Sequence, residues 1–209
     1  MKKLVIFVCL LTTVFGCAGT ETRVDQTVRG PQVKVGSYNI DISDDYKYLG
    51  QIPSNYMSSG SVDGTSMQTN IKIENHAFVN ENLSEGIVIQ VYRLPGDWHY
   101  RTEVDFDEAI RKQKFVTHGR KNNLPYIIQL FNTNDKTFLK LIKFANEKGY
   151  KFEDKPYVYM LKQGRNSGRN KRFFVHYIRG LDNNSKTWTS TMIGEEIYKS
   201  ADKSFTITK

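Results

Sequence analysis

Short runs in which apolar and polar residues alternate recur along this chain, and they constrain its fold more than any other feature. The run at 86–94 is the strongest, and the run at 35–42 puts Tyr38, Ile40 and Ile42 on one face. Alternation in residues of β-branched and aromatic type is typical of half-buried strands. These runs therefore predict antiparallel strands, and a further one is predicted at 68–78.

Two segments show the spacing of a helix instead. Residues 105–113 open with Asp105 and Glu108, the three-residue spacing of a capping box in which Asp105 accepts a backbone hydrogen bond. The second helix is predicted over 135–148, ending at Gly149. Its apolar residues share one face: Phe138, Leu141, Ile142 and Ala145. With a possible third helix near 193–201, the pattern predicts an α+β fold, a single, mostly antiparallel sheet with two or three helices packed on it.

Two stretches are predicted to lie outside regular structure. Residues 50–66 are rich in Ser and Gly and have no strong period, which indicates a mobile loop or a hairpin tip. Residues 162–172 lie between strands predicted at 157–161 and 173–178, and their Gly and Asn residues indicate the loop of an antiparallel hairpin.

The first residues have the composition of an export signal. Lys2 and Lys3 precede an apolar run at 4–15, and Gly16 precedes Cys17. A charged start, a short apolar run and a small residue before the cut are the parts of a secretory signal. A membrane span needs about 18 or more apolar residues, so this run is too short to be one. An ordinary signal peptide that is cut without lipidation is the alternative.

The sequence Val14-Phe15-Gly16-Cys17 resembles a bacterial lipobox. The resemblance extends to small bacterial lipoproteins of an uncharacterised family, through the runs at 46–50 (YKYLG) and 204–207 (SFTI). It implies a signal peptide at 1–16 and an acylated Cys17. The polar residues that follow, broken by Gly30-Pro31, predict a flexible tether at 17–34 ahead of a single domain at 35–209. The alternative is a first strand, which the alternation of Val33 and Val35 would start near Val33. The resemblance also implies palmitate on Cys17 and a place in the cell envelope. Ala18 after the cysteine resembles the pattern that directs lipoproteins to the periplasmic face of an outer membrane.

Cysteine content and charge narrow the classes of partner. The chain has 209 residues and only Cys9 and Cys17, so the exported domain would have no disulfide and must be stabilised by its core. The net charge of +8 would suggest nucleic acid in a cytosolic protein. For an exported protein, no nucleic acid partner is expected. The expected partners are the membrane, contacted through the lipid anchor, and an anionic lipid, a glycan or another envelope protein.

Candidate sites are few, and the sequence predicts no catalytic residue, no cofactor and no metal. The four histidines (His76, His99, His118 and His176) lack the spacing of metal ligands. The best interaction candidate is a set of cations that would bind an anionic surface: Lys162, Arg165, Arg169, Lys171 and Arg172. A solvated turn is the alternative. The favoured function is a non-catalytic binding or accessory lipoprotein. The alternative is an envelope hydrolase that uses carboxylates at 98–108, with His99 as a base and Glu103 or Asp105 as its partner.

Overall fold

The structure is a computed structural model that describes residues 22–25, 30–62, 65–82, 84–96, 98–100, 102–112, 116–132, 143–150, 157–180 and 190–209. The strands within these ranges are β1 (Arg23–Asp25), β2 (Gln32–Val35), β3 (Tyr38–Ile42), β4 (Tyr46–Val62), β5 (Thr65–Asn80), β6 (Glu85–Arg93), β7 (Thr117–Lys121), β8 (Leu124–Asn132), β9 (Tyr157–Asn166), β10 (Lys171–Gly180) and β11 (Phe205–Thr208). The helices are α1 (Asp107–Arg111), α2 (143–147) and α3 (Ser190–Ser204).

These strands form two antiparallel sheets. The smaller sheet has the order β1-β2-β3-β11, and the larger has the order β4-β5-β6-β10-β9-β8-β7. The predicted single sheet with helices packed on it is therefore wrong, and the described fold is mostly β. Alternation identifies strands but not their partners. β1, β2 and β3 pair with one another in a sheet of their own, and β11, from the end of the chain, completes it by pairing with β3, with Phe205 opposite Ile42.

The main core lies between the two sheets. Within each strand, successive side chains point to opposite faces, so alternate residues of the larger sheet face the smaller one. The largest fully buried side chains of this core include Phe78, Ile87, Ile89, Phe173 and Tyr177 from the larger sheet and Val33, Val35 and Ile40 from the smaller one. The rings of Tyr38 and Phe173 meet across the interface, with centroids 5.4 Å apart. We call this side of the larger sheet its inner face and the opposite side its outer face.

The first helix differs from its predicted form. α1 begins after Phe106 with no side-chain hydrogen bond at its cap, so the predicted cap at Asp105 is wrong. Its five residues include no buried side chain, and hence nothing in the core fixes a longer helix.

The described part of the second helix agrees with its predicted end. Ala145 is fully buried in a second apolar cluster, and Gly149 has φ +85°. The Tyr150 N–H donates to the Ala145 carbonyl (2.9 Å), closing the helix by a glycine motif. Phe138, Leu141 and Ile142 lie outside the described residues, as does Cys17 with the predicted signal peptide.

Three stretches predicted as loop or tether contain strands. The interval 17–34 contains β1 and most of β2, and the stretch 50–66 lies largely within the β4–β5 hairpin. The interval 162–172 belongs mainly to β9 and β10, leaving a short turn at 167–170. The turn does not project freely, because the Ser167 hydroxyl is buried and donates to the Val35 carbonyl of the smaller sheet (2.6 Å).

Candidate functional site

The outer face of the larger sheet carries a row of polar side chains across its central strands. In β10, Phe174 and His176 point to this face, opposite Gln90 of β6 and Lys162 of β9. Cross-strand partners lie side by side on one face, so strand pairing alone brings these four side chains together. Asn75 of β5 extends the row beside Gln90. These residues are separated widely in sequence, and no local motif joins them.

A directional hydrogen-bond chain runs through this row. The Asn75 side-chain amide donates to the Ile52 carbonyl (3.3 Å), so its Oδ1 must serve as an acceptor. Gln90 Nε2 donates to that Oδ1 (2.9 Å), which leaves Gln90 Oε1 as an acceptor for His176 Nε2 (2.8 Å). The Tyr92 hydroxyl donates to the same Gln90 Oε1 (3.2 Å). Because the Ile52 carbonyl can only accept, these hydrogen bonds determine the orientation of the Asn75 amide and, through it, that of the Gln90 amide.

The same chain sets the protonation of His176. Because Gln90 Oε1 can only accept, the imidazole donates from Nε2, and a neutral ring then has a bare Nδ1. That Nδ1 lies 3.0 Å from Met160 Sδ. Burial lowers the pKa of His176 well below its usual value, and the charge of Lys162 lowers it further. The imidazole is thus neutral at physiological pH.

Lys162 is a half-buried cation beside this imidazole. Its Nζ lies 4.2 Å from the centroid of the Phe174 ring, and no described carboxylate forms an ion pair with it. Burial lowers the pKa of Lys162 to about 8, and the Arg172 charge contributes. Cation–π contact compensates part of the cost of removing an ammonium from water, but a buried charge is ordinarily paired.

A glycine seats the ring that supports Lys162. Phe174 lies across Gly164 of β9, where an added Cβ would come within 2.4 Å of the ring. Tyr92 packs edge-on against Phe174, with ring centroids 5.6 Å apart. The sequence did not indicate this role for Gly164, because a close cross-strand approach becomes visible only once the register is known.

Two segments that the sequence singled out separately meet at the end of this face. Arg172 donates to the Thr102 carbonyl and to Asn166 Oδ1, each at 2.7 Å, and its guanidinium lies 4.1 Å from the Tyr100 ring centroid. The Tyr100 N–H donates to the Arg169 carbonyl (2.8 Å). Arg172 therefore holds Tyr100 and Thr102 against the hairpin, and its hydrogen bonds to Thr102 and Asn166 use two of its five N–H donors.

The five predicted surface cations are divided by the sheet. Lys162 and Arg172 lie on the outer face, whereas Arg165 points to the inner side, 5.9 Å from the Tyr38 ring centroid. Lys171 is buried and Arg169 is exposed. The expected projecting loop with five solvated cations is thus replaced by two strands, because alternation sends neighbouring side chains to opposite faces.

The acidic segment at 98–108 shows no convergence of its described carboxylates on His99. Glu103, Asp105 and His99 are exposed, and Glu108 forms an ion pair with Lys112 one helical turn away. Within the described ranges, no cluster of three or more His, Cys, Asp or Glu residues could hold a metal ion. His118 is exposed, and His76 is buried beside Tyr48, whose hydroxyl lies 3.0 Å from its Nδ1.

A second polar cluster joins the larger sheet to the end of the chain. The Tyr46 hydroxyl donates to Glu85 (2.6 Å) and lies 2.8 Å from the Ser204 hydroxyl, which itself donates to the Ser200 carbonyl. Arg179 extends the cluster by donating to Ser200 and Glu196 of α3. Its donors and acceptors are used within the protein, which indicates a role in stability.

Comparisons of the chain with protein-family models, with curated proteins and with solved structures give no match. Among the described residues, no helix combines the length and the apolar character that crossing a bilayer requires. The functional interpretation therefore depends on the N-terminal sequence and on the chemistry of the outer face.

Proposed function

We propose that this protein is a lipid-anchored lipoprotein of the cell envelope, held by an acylated Cys17 at the periplasmic face of an outer membrane. Its β-rich domain acts as a non-catalytic binding or accessory protein for an anionic partner. The sequence of residues 1–17 supports the anchor. The net charge of +8, which falls to +6 when the signal peptide with Lys2 and Lys3 is removed, supports attraction to an anionic partner.

The observation that carries the binding role is Lys162, a half-buried ammonium with no ion-pair partner among the described residues. A charge held in this way, with a shifted pKa and a fixed polar surround, is typical of functional sites. Its neighbours on this face are an imidazole held by Gln90, side-chain amides and aromatic rings. These groups fix a positive charge in one place, which favours recognition of an anion.

The anchor is tested by a Cys17→Ser variant, with Cys9→Ser as the matched control. Acyl chains contribute about 0.8 kcal/mol per buried CH₂, so the acylated protein should fractionate with membranes. We expect Cys17→Ser to appear as a soluble or uncleaved form, while Cys9→Ser behaves as wild type. Mass spectrometry of the mature N-terminus gives the direct answer, and an unmodified N-terminus would exclude the anchor.

The anionic partner is tested by crosslinking in the membrane and by co-sedimentation of the detergent-purified protein with anionic and neutral vesicles. Attraction to an anionic surface should weaken with salt, because the Debye length falls from about 10 Å at 0.1 M to about 3 Å at 1 M. Arg169→Ser alone tests the exposed cation of the turn. Substituting Arg172 as well would break its contacts with Thr102 and Asn166 and confuse binding with folding.

A further inference from the structure

The charges around Lys162 favour a negatively charged ligand over a positively charged one. The nearest charged group on β10 is Arg172, and His176 on the same strand is neutral. Tyr92 of β6 and Tyr100 contribute rings and hydroxyl groups to this face and no formal charge. Two cations and no described carboxylate therefore create a positive potential above Phe174.

A metal ion is the competing occupant, because Nδ1 of His176 and Sδ of Met160 lie 3.0 Å apart, and imidazole and thioether are both metal ligands. The Lys162 ammonium lies close enough to His176 to lower the pKa of the imidazole. The same charge that disfavours a proton on His176 also disfavours a metal cation there. The electrostatics thus favour an anion over a metal.

The chemistry of the two cations distinguishes between classes of anion. A guanidinium fork fits a planar carboxylate, but two donors of the Arg172 fork are used on Asn166 and Thr102. Lys162 instead offers a compact ammonium with three donors, which binds phosphate as a point charge. A phosphate monoester carries a charge of about −1.5 to −2 near pH 7, which two neighbouring cations can balance.

We infer that Lys162, with Arg172 beside it on the outer face, forms a binding site for a single phosphate group. This inference rests on the proposed binding role and specifies its ligand chemistry. The phosphate belongs either to a small soluble ester or to a phospholipid headgroup. The ring of Phe174, seated on Gly164, holds the ammonium in position before the ligand arrives.

The first test measures the reactivity of Lys162 in the full-length protein in non-ionic detergent. Acetic anhydride acetylates free amines, and mass spectrometry reports the rate at each lysine with and without inorganic phosphate. A bound phosphate favours the charged ammonium, and each unit of pKa increase lowers the free-amine fraction about tenfold. We expect Lys162 acetylation to slow about tenfold, while the exposed Lys199 of α3 is unaffected. Equal rates with and without phosphate would overturn the site.

The second test compares Lys162→Met, which removes the charge but keeps an unbranched chain over Phe174, with Lys199→Met as the charge-matched control. Glycerol phosphate and inorganic phosphate should raise the thermal midpoint of wild type and of Lys199→Met, but not that of Lys162→Met. If Lys162→Met does not fold, Lys162→Arg keeps the charge and should retain the shift. A phosphate-induced shift that survives in Lys162→Met would exclude the site.

The source of the phosphate is resolved with vesicles of phosphatidylcholine alone or with phosphatidic acid. The lipid anchor inserts into both kinds of vesicle, so the informative quantity is the extra binding to phosphatidic acid vesicles over phosphatidylcholine vesicles. Extra binding that is lost in Lys162→Met assigns the headgroup, and binding of glycerol phosphate only assigns a soluble ester. Vesicle binding that is unchanged in Lys162→Met would leave the anionic partner in place and overturn the Lys162 site. Failure of acylation at Cys17 would overturn the anchor without affecting these measurements.

Discussion

The two faces of the larger sheet are built from the same strands, yet they bury different chemistry. Along β10, the inner-facing Phe173, Val175 and Tyr177 are fully buried against the smaller sheet. The outer-facing Phe174 and His176 alternate with them and belong to the polar row with Lys162. The inner face gains free energy by removing apolar surface from water. The outer face holds an ammonium with no ion-pair partner among the described residues and a neutral histidine, whose burial costs free energy, and this contrast points to a functional role.

The largest expected effect is a difference in unfolding free energy between alanine variants of two adjacent residues, one on each face of the sheet. Phe173→Ala removes a fully buried ring between the sheets and should lower the free energy of unfolding by about 3–5 kcal/mol. Phe174→Ala, one residue away on the half-exposed outer face, should cost clearly less. Denaturant unfolding of both variants measures the difference. Equal losses would mean that the outer face is packed as tightly as the core.

The second prediction concerns acid, because burial lowers the pKa of a histidine on each face, His76 inside and His176 outside. A lowered pKa in the folded state means that the unfolded chain binds more protons as the pH falls below about 6.5. Stability is therefore complete above that pH and is lost as the pH falls towards the folded-state values. The slope is at most about 1.4 kcal/mol per pH unit for each histidine.

Two single variants measure how much of this loss of stability in acid comes from the histidine on each face. His76→Gln and His176→Gln should each flatten the dependence of unfolding free energy on pH between 7 and 5. The charges that act on His76 are Glu74, which opposes the shift, and Arg93, while Lys162 acts on His176. The larger flattening should come from His176, because burial lowers its pKa well below the usual value and the charge of Lys162 lowers it further.

The smallest effect tests the polar cluster that joins the larger sheet to α3 and β11. Tyr46→Phe removes the hydroxyl that donates to Glu85 and contacts Ser204, leaving their oxygens with one partner fewer. The expected loss of unfolding free energy is about 1–3 kcal/mol. Tyr38→Phe changes another core tyrosine, whose ring packs on Phe173, and should cost less. An unchanged free energy of unfolding in Tyr46→Phe would show that the cluster contributes nothing to stability.

Local sequence signals predicted some elements well and others not at all. The run at 86–94 closely matches β6, and Tyr38, Ile40 and Ile42 do share the buried face of β3. Gly149 ends α2 with a positive φ because glycine adopts that conformation without strain. Of the two alternatives for the Ser- and Gly-rich stretch, the mobile loop is wrong and the hairpin agrees with the structure, because pairing with β5 overrides the weak β propensity of the stretch.

The candidate site was only partly visible in the sequence for a related reason. Lys162 and Arg172 stood out as cations, but their division from Arg165 and Lys171 depends on strands that continue into the predicted loop. His176 was one of four scattered histidines, and nothing in its neighbourhood along the chain indicates Gln90 or Asn75 as partners. Strand pairing joins residues about 100 positions apart in sequence, from Asn75 to His176.

The sequence by itself determined the strands with strong alternation, such as β3 and β6, their apolar faces and the basic charge, because period and composition are local or additive properties. The N-terminal pattern that ends at Cys17 is likewise a local signal, and its acylation stays a prediction. Only the tertiary structure decided that there are two sheets and that Lys162 lies over Phe174 beside a neutral His176. Sheet pairing and burial arise from contacts between distant segments. A pKa shifts, and a charge without a partner costs free energy, only when those contacts exclude water.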